Sequence, residues 1–560
     1  MSVISALKSV VGNHYVITSK GKSLKYREGY RSGRGEALAV VRPGSLLELW
    51  KVLQVVQANN LIVIMQAANT GLTEGSVPSQ VAYDRDVIVI NVMRLKGLQL
   101  IDNKQQVIAF PGTTLHELET KLTQVGRDPH SVIGSSNIGA TVIGGINNNS
   151  GGALIQRGPA YTELALYAQI TADGKLQLIN HLGIELGKTP EEILTNLEKH
   201  NYSEQNITFS DERVGHNRDY EKRVRAVDSG KPTRYNADPQ ELYEVSGSAE
   251  KLVAFAVRLD TYPKPRQERV FYIGTNDPAV LEKLRRHILT NFKSLPISGE
   301  YMHREAYDLA KKYGKDSLMV IDYLGTTPLP FLFNFRAATE RMLHHIPTFK
   351  PDFVDRMLQR SSSLFPNQLP KRMEAFRNKY EHYLQLKVAD AGIAEAQAYL
   401  RDLAQSDEMG YFECTPKEAK LAAIHRYVAA SVPIRYQETH QKEGNEILPL
   451  DVALPRKEVN WFETLPKEID DKIKYKLYYG HFLDHVMHQD YILQPGVDRH
   501  ELKKALLKRF DDRGALYPAE HNVGHLYHAP EVLVNHYQKN DPTNTFNPGI
   551  GLTSVKKNWQ

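Results

Sequence analysis

The sequence predicts an α+β protein of two or three domains. Short apolar runs alternate with segments of helical periodicity through residues 1–260, and two polar glycine-rich loops interrupt them. At 560 residues, the chain also exceeds the size at which one hydrophobic core keeps growing. Residues 45–59, "SLLELWKVLQVVQAN", carry apolar side chains at helical spacing, so a helix is expected there. Residues 61–65, "LIVIM", and 86–92, "DVIVINV", are continuous apolar runs of the buried-strand type. Thr114 and Glu117 have the spacing of a capping box and mark the start of a second helix. The proline turns "RPGS" and "FPGTT" punctuate these elements.

With 41% hydrophobic and 24% charged residues, the composition is that of a folded globular chain and not of a disordered or fibrous one. The single cysteine, Cys414, excludes a disulfide framework and any thiolate-built zinc or iron–sulfur site within one chain, and it suits a reducing compartment. The first twenty residues lack the continuous apolar core of a signal peptide, and no run of about 18 apolar residues occurs, so neither secretion nor a membrane-spanning helix is expected.

The net charge of +5 is unevenly placed. Arg341, Lys350, Arg356, Arg360, Lys371, Arg372, Arg377 and Lys379 face only Asp352, Asp355 and Glu374 within the same stretch. They are interleaved with Phe349, Phe353, Leu358, Leu364, Phe365, Leu369 and Phe376, the mixture that an anionic lipid surface recruits. No nucleic-acid motif accompanies them, so nucleic acid is not an expected partner.

The loops at residues 66–76, "QAANTGLTEGS", and 134–152, "GSSNIGATVIGGINNNSGG", look built for an anionic, extended ligand. Small residues let backbone N–H groups approach a diphosphate, and Thr70, Ser76, Ser135 and Thr141 add hydroxyls. A pair of ordinary surface loops is the alternative. Neither loop is a Walker motif or the G-x-G-x-x-G fingerprint, which disfavours nicotinamide binding through a Rossmann unit.

What the pair resembles is the FAD-binding domain of the vanillyl-alcohol oxidase/p-cresol methylhydroxylase superfamily, with "PGTT" at residues 111–114 leading in. The resemblance covers residues 37–263 and returns at residues 541–551, "DPTNTFNPGIG". It implies non-covalent FAD held by Ala67, Ala68, Asn69, Thr70, Gly71, Gly75 and Ser76 of the first loop and by Gly134, Thr141 and Gly151 of the second. Within "GSAEKLVAFAVRLDTYP" it sets the Ala254 backbone against the adenine, although Leu252 stands where a glycine is usual. No histidine or cysteine clearly matches a covalent flavin anchor.

Residues 478–490, "YYGHFLDHVMHQD", place His481, His485 and His488 at i, i+4 and i+7. That is one face of a helix, and spacing leaves open a metal site, an acid/base site or a helix that merely carries histidines. The D-2-hydroxy acid dehydrogenase branch of the superfamily shows G-H-x-G-D-x-N-x-H and, later, E-H-G-x-G. Gly480, His481, Asp484 and His488 are similar to the first pattern, and Glu520, His521 and Gly524 to the second. The resemblance implies a divalent metal (Zn, Mn or Fe) on His481, His488 and Glu520, with His521 as the base. Such chemistry suits the task, because a hydroxyl is a poor acid and needs a base, an electrophile on its oxygen, or both. Leu483 and Val486 replace the second glycine and the asparagine of the pattern, and His485 lies outside it, as a structural or supporting residue. "IRYQETH" resembles the branch's substrate segment and gives Arg435 and Thr439 as carboxylate ligands. Pro449 stands where the dicarboxylate enzymes have a lysine, which points to a small monocarboxylate such as D-lactate.

From "YREGYRSGRGEALAVVRPGSLLELW" to "SVKKNWQ", the whole chain resembles the family of bacterial respiratory, quinone-dependent D-lactate dehydrogenases. The family implies a two-subdomain FAD domain (1–265), an α+β cap (266–330 and 391–515), a helical, electropositive membrane-binding insert (331–390) and a C-terminal segment (516–560) returning to the FAD domain. It further implies electron delivery to membrane quinone from the cytoplasmic face of the inner membrane. A broader D-2-hydroxy acid dehydrogenase acting on D-malate or D-2-hydroxyglutarate is the nearest alternative. A non-catalytic flavin- or polyanion-binding protein is the distant one, and it would suit a helical reading of residues 478–490.

Overall fold

The computed structural model describes residues 2–324, 367–405 and 408–560. The first sheet contains β1 (Val16–Ile17), β2 (Ala39–Val41), β3 (Ile62–Gln66) and β4 (Val87–Asn91) in the order β1-β2-β4-β3, with β2, β4 and β3 parallel. Every residue of β2, β3 and β4 is buried, which is why these strands read as unbroken apolar runs: a parallel strand covered on both faces has no solvent side to alternate with. The helix Leu46–Ala58 covers one face with Leu46, Leu49, Trp50, Val52, Leu53 and Val56, and Ser45 caps it by accepting from the Glu48 N–H.

The second set of strands is β5 (Leu98–Ile101), β6 (Gln106–Ala109), β7 (Arg127–Asp128), β8 (Ala165–Ile170), β9 (Leu176–Asn180), β10 (Val253–Asp260) and β11 (Tyr262–Pro263). They form an antiparallel sheet β5-β6-β10-β8-β9 and a short β7/β11 ribbon. The Thr114–Glu117 capping box is present and opens the helix Leu115–Thr123. The C-terminal segment returns to the first sheet, where the Val63 N–H donates to Thr545 O and the Asn547 N–H to Val63 O, seating the buried Phe546 in its core.

The cap is a seven-stranded antiparallel sheet of β12 (Glu268–Thr275), β13 (Ser298–His303), β14 (His382–Ala389), β15 (Met409–Glu413), β16 (Ile447–Ala453), β17 (Ile473–His481) and β18 (Val486–Leu493), ordered β15-β12-β14-β13-β17-β18-β16. Most of the expected 331–390 insert lies outside the described residues. Its residues 367–390 are described and pack with the seven-stranded sheet. β14 is an interior strand, and Leu369, Met373 and Phe376 pack into the cap core beside Tyr272 and Phe412. The cations of this part have partners far from it in the chain: Arg377 pairs with Asp308 at 2.6 Å, and Arg372 pairs with Glu418. Among the described residues no helix is long and apolar enough to cross a membrane.

Residues 478–490 do not form a helix. β17 ends at His481, a 3-10 turn, Phe482–Asp484, reverses the chain, and β18 starts at Val486. Aromatic and β-branched residues favour the pleated surface here. His485, at φ 56, takes the left-handed position of the turn, while Leu483, at the place of the pattern's second glycine, lies within the 3-10 turn. Gly480 is needed for close packing, since a Cβ would come within 2.9 Å of Met487 Cα.

Candidate active site

Strand register builds the site. In the β17/β18 hairpin, His481 opposes Val486 and His488 opposes Tyr479, so the two histidines share one face of the sheet. On the neighbouring strands, Glu300 of β13 directly opposes His481, and Asp451 of β16 directly opposes His488. His481 Nδ1 lies 2.6 Å from Glu300 Oε1, and His488 Nδ1 lies 3.3 Å from Asp451 Oδ1. Glu300 fixes the His481 imidazole through Nδ1, Asp451 faces the same atom of His488 at longer range, and both rings turn Nε2 inward, as carboxylates behind metal-binding histidines make them do.

Glu520 completes the set. The segment around it runs along β16, with the Ala519 N–H donating to Asp451 O and the Glu520 N–H to Asp451 Oδ2 at 2.7 Å. Glu520 Oε2 is then 3.3 Å from His481 Nε2 and 3.6 Å from His488 Nε2. A tetrahedral ion with bonds of about 2.0–2.1 Å sets its ligand atoms roughly 3.3 Å apart, so the three side chains fit a divalent cation. The ligating atoms all lie within 4.8 Å of one another. Two imidazoles and a carboxylate suit Zn, Mn or Fe and leave positions open for a chelating substrate.

Glu520 Oε1 accepts from the buried Arg234 at 2.5 Å. Arg234 also lies 3.4 Å from Asp484 Oδ2 and donates to Gly152 O at 2.6 Å, tying the second glycine loop to the hairpin turn. Gly151 is where the loop passes Glu520, since a Cβ there would come 2.8 Å from the Glu520 carboxyl carbon. Thus Gly151 makes room for Glu520.

Burial alone would lower the pKa of His481, but the charges of Glu300 and Glu520 outweigh it and push the imidazole up to about 10. Burial would raise Glu520, yet His481, Arg234 and His488 hold its carboxyl well below the usual range. His521 differs. Its Nε2 is 3.9 Å from Asp451 Oδ2, its side chain is about a third exposed, and burial lowers its pKa against the opposing charges of Asp451 and Glu520. It is a neutral base beside a charged cluster.

The fully buried His485 faces away from this set, with Nε2 3.0 Å from Glu282 Oε2. The helix Val432–Thr439 carries Arg435 and Thr439. Arg435 is buried and paired with Asp316, while Thr439 Oγ1 donates to Arg435 O at 2.8 Å, so neither side chain is brought into contact with the histidine cluster.

The flavin loops flank this region. Ala67, Ala68, Asn69, Thr70, Gly75 and Ser76 are half-buried between β3 and β4, with Gly71 exposed. Asn69, at φ 54, accepts from Ser76 Oγ at 2.7 Å, and Gly75 O accepts from Asn547 Nδ2 at 2.9 Å, so the side chains brace the loop and leave its backbone presented. Thr141 caps the short helix Val142–Asn147, and a Cβ at Gly71 or Gly134 would meet nothing within 4 Å. β6 pairs with β10 only over residues 257–260, so the Ala254 edge on that side carries no strand. An open loop backbone, a capped helix start and a free strand edge fit an extended dinucleotide.

Sequence reasoning missed Glu300, Asp451 and Arg234 as parts of the site. Only cross-strand register could have found the two acids, and Arg234 meets Glu520 across 286 residues.

Two family models match the chain: "D-lactate dehydrogenase, membrane binding" over residues 270–559 and "FAD binding domain" over residues 37–180. A quinone-dependent D-lactate dehydrogenase of Escherichia coli (strain K12) is 54% identical over 557 residues, covering 100% of this chain and 97% of that protein. Another, of Corynebacterium glutamicum, is 45% identical and covers 99% of this chain and 97% of its own length. The fold is also that of p-cresol methylhydroxylase, whose substrate-bound crystal structure matches with a TM-score of 0.57 and 10% sequence identity over 99% of this chain and 96% of that one.

Proposed function

The chain belongs to the quinone-dependent D-lactate dehydrogenase family, and from that premise we propose that it oxidises D-lactate to pyruvate and passes the electrons to membrane quinone. The observation that carries this reading is the convergence of His481 Nε2, His488 Nε2 and Glu520 Oε2 next to the neutral His521.

His521 takes the lactate hydroxyl proton on its imidazole, and the Asp451 carboxylate 3.9 Å away stabilises the imidazolium that forms. His481, His488 and Glu520 would hold a divalent cation, which would polarise the hydroxyl oxygen and make that proton easier to remove. Ala67, Ala68, Asn69, Thr70, Gly71, Gly75, Ser76, Gly134, Thr141 and the Ala254 backbone would hold FAD. FAD, when bound, supplies the acceptor for the hydride leaving C2 and the relay to quinone. Arg435 and Thr439 are the substrate-carboxylate ligands that the likeness of residues 434–440 supports, and that role requires Arg435 to exchange Asp316 for the substrate. A lipid-soluble acceptor requires work at a bilayer, and the membrane-binding family model and the basic, aromatic-rich sequence support peripheral attachment; the cytoplasmic face of an inner membrane is the side that the likeness to respiratory enzymes suggests.

Anaerobic mixing of the FAD-loaded protein with D-lactate and, separately, L-lactate tests the reading. Bleaching of the oxidised-flavin absorbance by the D isomer alone is expected, with loss after chelation and recovery on adding Zn²⁺ or Mn²⁺. Faster reduction by D-malate or D-2-hydroxyglutarate would overturn the monocarboxylate assignment.

A further inference from the structure

The site is rich in acids. Glu300, Asp451, Asp484 and Asp490 surround the His481/His488/Glu520 cluster, and its nearby arginines are committed: Arg234 to Glu520, and Arg426 to Glu300 at 3.1 Å. An anionic substrate entering such a site needs a further cation opposite the base.

The loop at residues 28–34 supplies one. An antiparallel bridge between Glu28 and Arg34 closes it, and the Gly29 N–H donates to Gly33 O at 2.9 Å. A side chain at Gly29 would collide with the Ser32 carbonyl, and Gly33 sits at φ +84, so this tight hairpin depends on both glycines. Ser32 Oγ donates to Glu74 at 2.6 Å and Asn69 Nδ2 donates to Glu28 O at 2.7 Å, which pins the loop onto the first flavin loop. On the other side, Tyr30 stands beside Tyr427 of the cap helix Pro416–Ala429, and Tyr427 reaches Asn137 of the second glycine loop. The tip therefore lies where both flavin loops meet the cap.

Arg31 is at that tip. It is exposed and forms no hydrogen bond or ion pair among the described residues. Its charge is felt at Tyr479, Asp490 and His521, which come from β17, β18 and the segment beyond β16. Tyr479 and Asp490 are themselves joined by a 2.6 Å hydrogen bond, so they leave the guanidinium fork free for a planar carboxylate.

We propose that Arg31 binds the substrate's carboxylate from the flavin-domain side, closing the site over a 2-hydroxy acid whose hydroxyl faces His521. This deepens the assignment of D-lactate oxidation to the His481/His488/Glu520 site and rests on it.

The test compares Arg31→Met, Arg31→Lys and Arg435→Met with the wild-type holoenzyme by anaerobic flavin reduction, with flavin content measured first. Arg31→Met should weaken D-lactate binding by roughly 10- to 100-fold, the worth of a charge-assisted hydrogen bond, and added guanidinium ion should restore part of it. Oxalate, a carboxylate with no hydroxyl to oxidise, should lose its perturbation of the flavin spectrum by a similar factor, whereas the weak reduction by the neutral diol (R)-1,2-propanediol should not change. An Arg31→Met holoenzyme with wild-type D-lactate and oxalate affinity would overturn the proposal while leaving D-lactate oxidation intact. Equal impairment toward lactate and the diol would also overturn it, as a structural effect. Should Arg31→Met shed its flavin, Arg31→Lys carries the same test, and undiminished affinity there would refute bidentate capture. A wild-type enzyme that D-lactate does not reduce would remove the functional reading itself.

Discussion

Glu300 and His481 stand directly opposite each other on adjacent antiparallel strands, with Glu300 Oε1 2.6 Å from His481 Nδ1, and this pairing aims His481 Nε2 at Glu520. Replacing Glu300 with Gln keeps the shape and removes the charge that holds the ring. Affinity for Zn²⁺ or Mn²⁺ should fall by about 10- to 100-fold, as it does when carboxylates behind metal-bound histidines are lost. Metal titration of the chelated protein checks this, and FAD content should not change.

His521→Asn should slow anaerobic flavin reduction by D-lactate by roughly 10²- to 10⁴-fold, the usual contribution of a general base, with FAD retained. Unchanged reduction would remove its role. Because burial lowers the His521 pKa, the rate in the unsubstituted enzyme should still be near its plateau at pH values where an ordinary imidazole is half protonated, and it should fall only at more acid pH.

Gly151→Ala tests the contact between the second glycine loop and the acid it shelters. The added methyl would lie 2.8 Å from the Glu520 carboxyl carbon and must displace either Glu520 or the loop. D-lactate-driven flavin reduction should be largely lost, and a variant with wild-type rates would show that the loop yields at no cost.

The cap should be acid-sensitive. His303 and His485 are lowered to about 4, His382 to about 3 and His425 to about 4, each chiefly by burial. All four are neutral in the folded state at pH 7 and take up protons more readily when unfolded. Their contribution is complete above the unfolded value of about 6.5 and is lost as pH falls towards 4. Urea midpoints at pH 7, 5.5 and 4.5 should decline in that order, and a flat profile would contradict the assignment.

Much of the fold was legible because its signals are local. The parallel strands announced themselves as unbroken apolar runs, since β3 and β4 are buried on both faces. Thr114 and Glu117 specified a helix start through contacts spanning three residues. The glycine loops and the two histidine motifs were readable as patterns, and through them the residues of the candidate metal set.

What the sequence by itself determined was the α+β class, the flavin-cradle pattern and the identity of His481, His488, Glu520 and His521 as the residues to watch. Tertiary structure decided how they meet. A spacing of seven residues serves a helix face and a hairpin equally well, and the choice fell to the sheet, whose register set Glu300 and Asp451 behind the histidines. It also brought Arg234 to Glu520, paired Arg435 with Asp316 and drew Arg372 and Arg377 into the cap. Charges and hydrogen bonds act over a few ångströms of space irrespective of sequence separation, so only the folded chain specifies which partner each polar group finds.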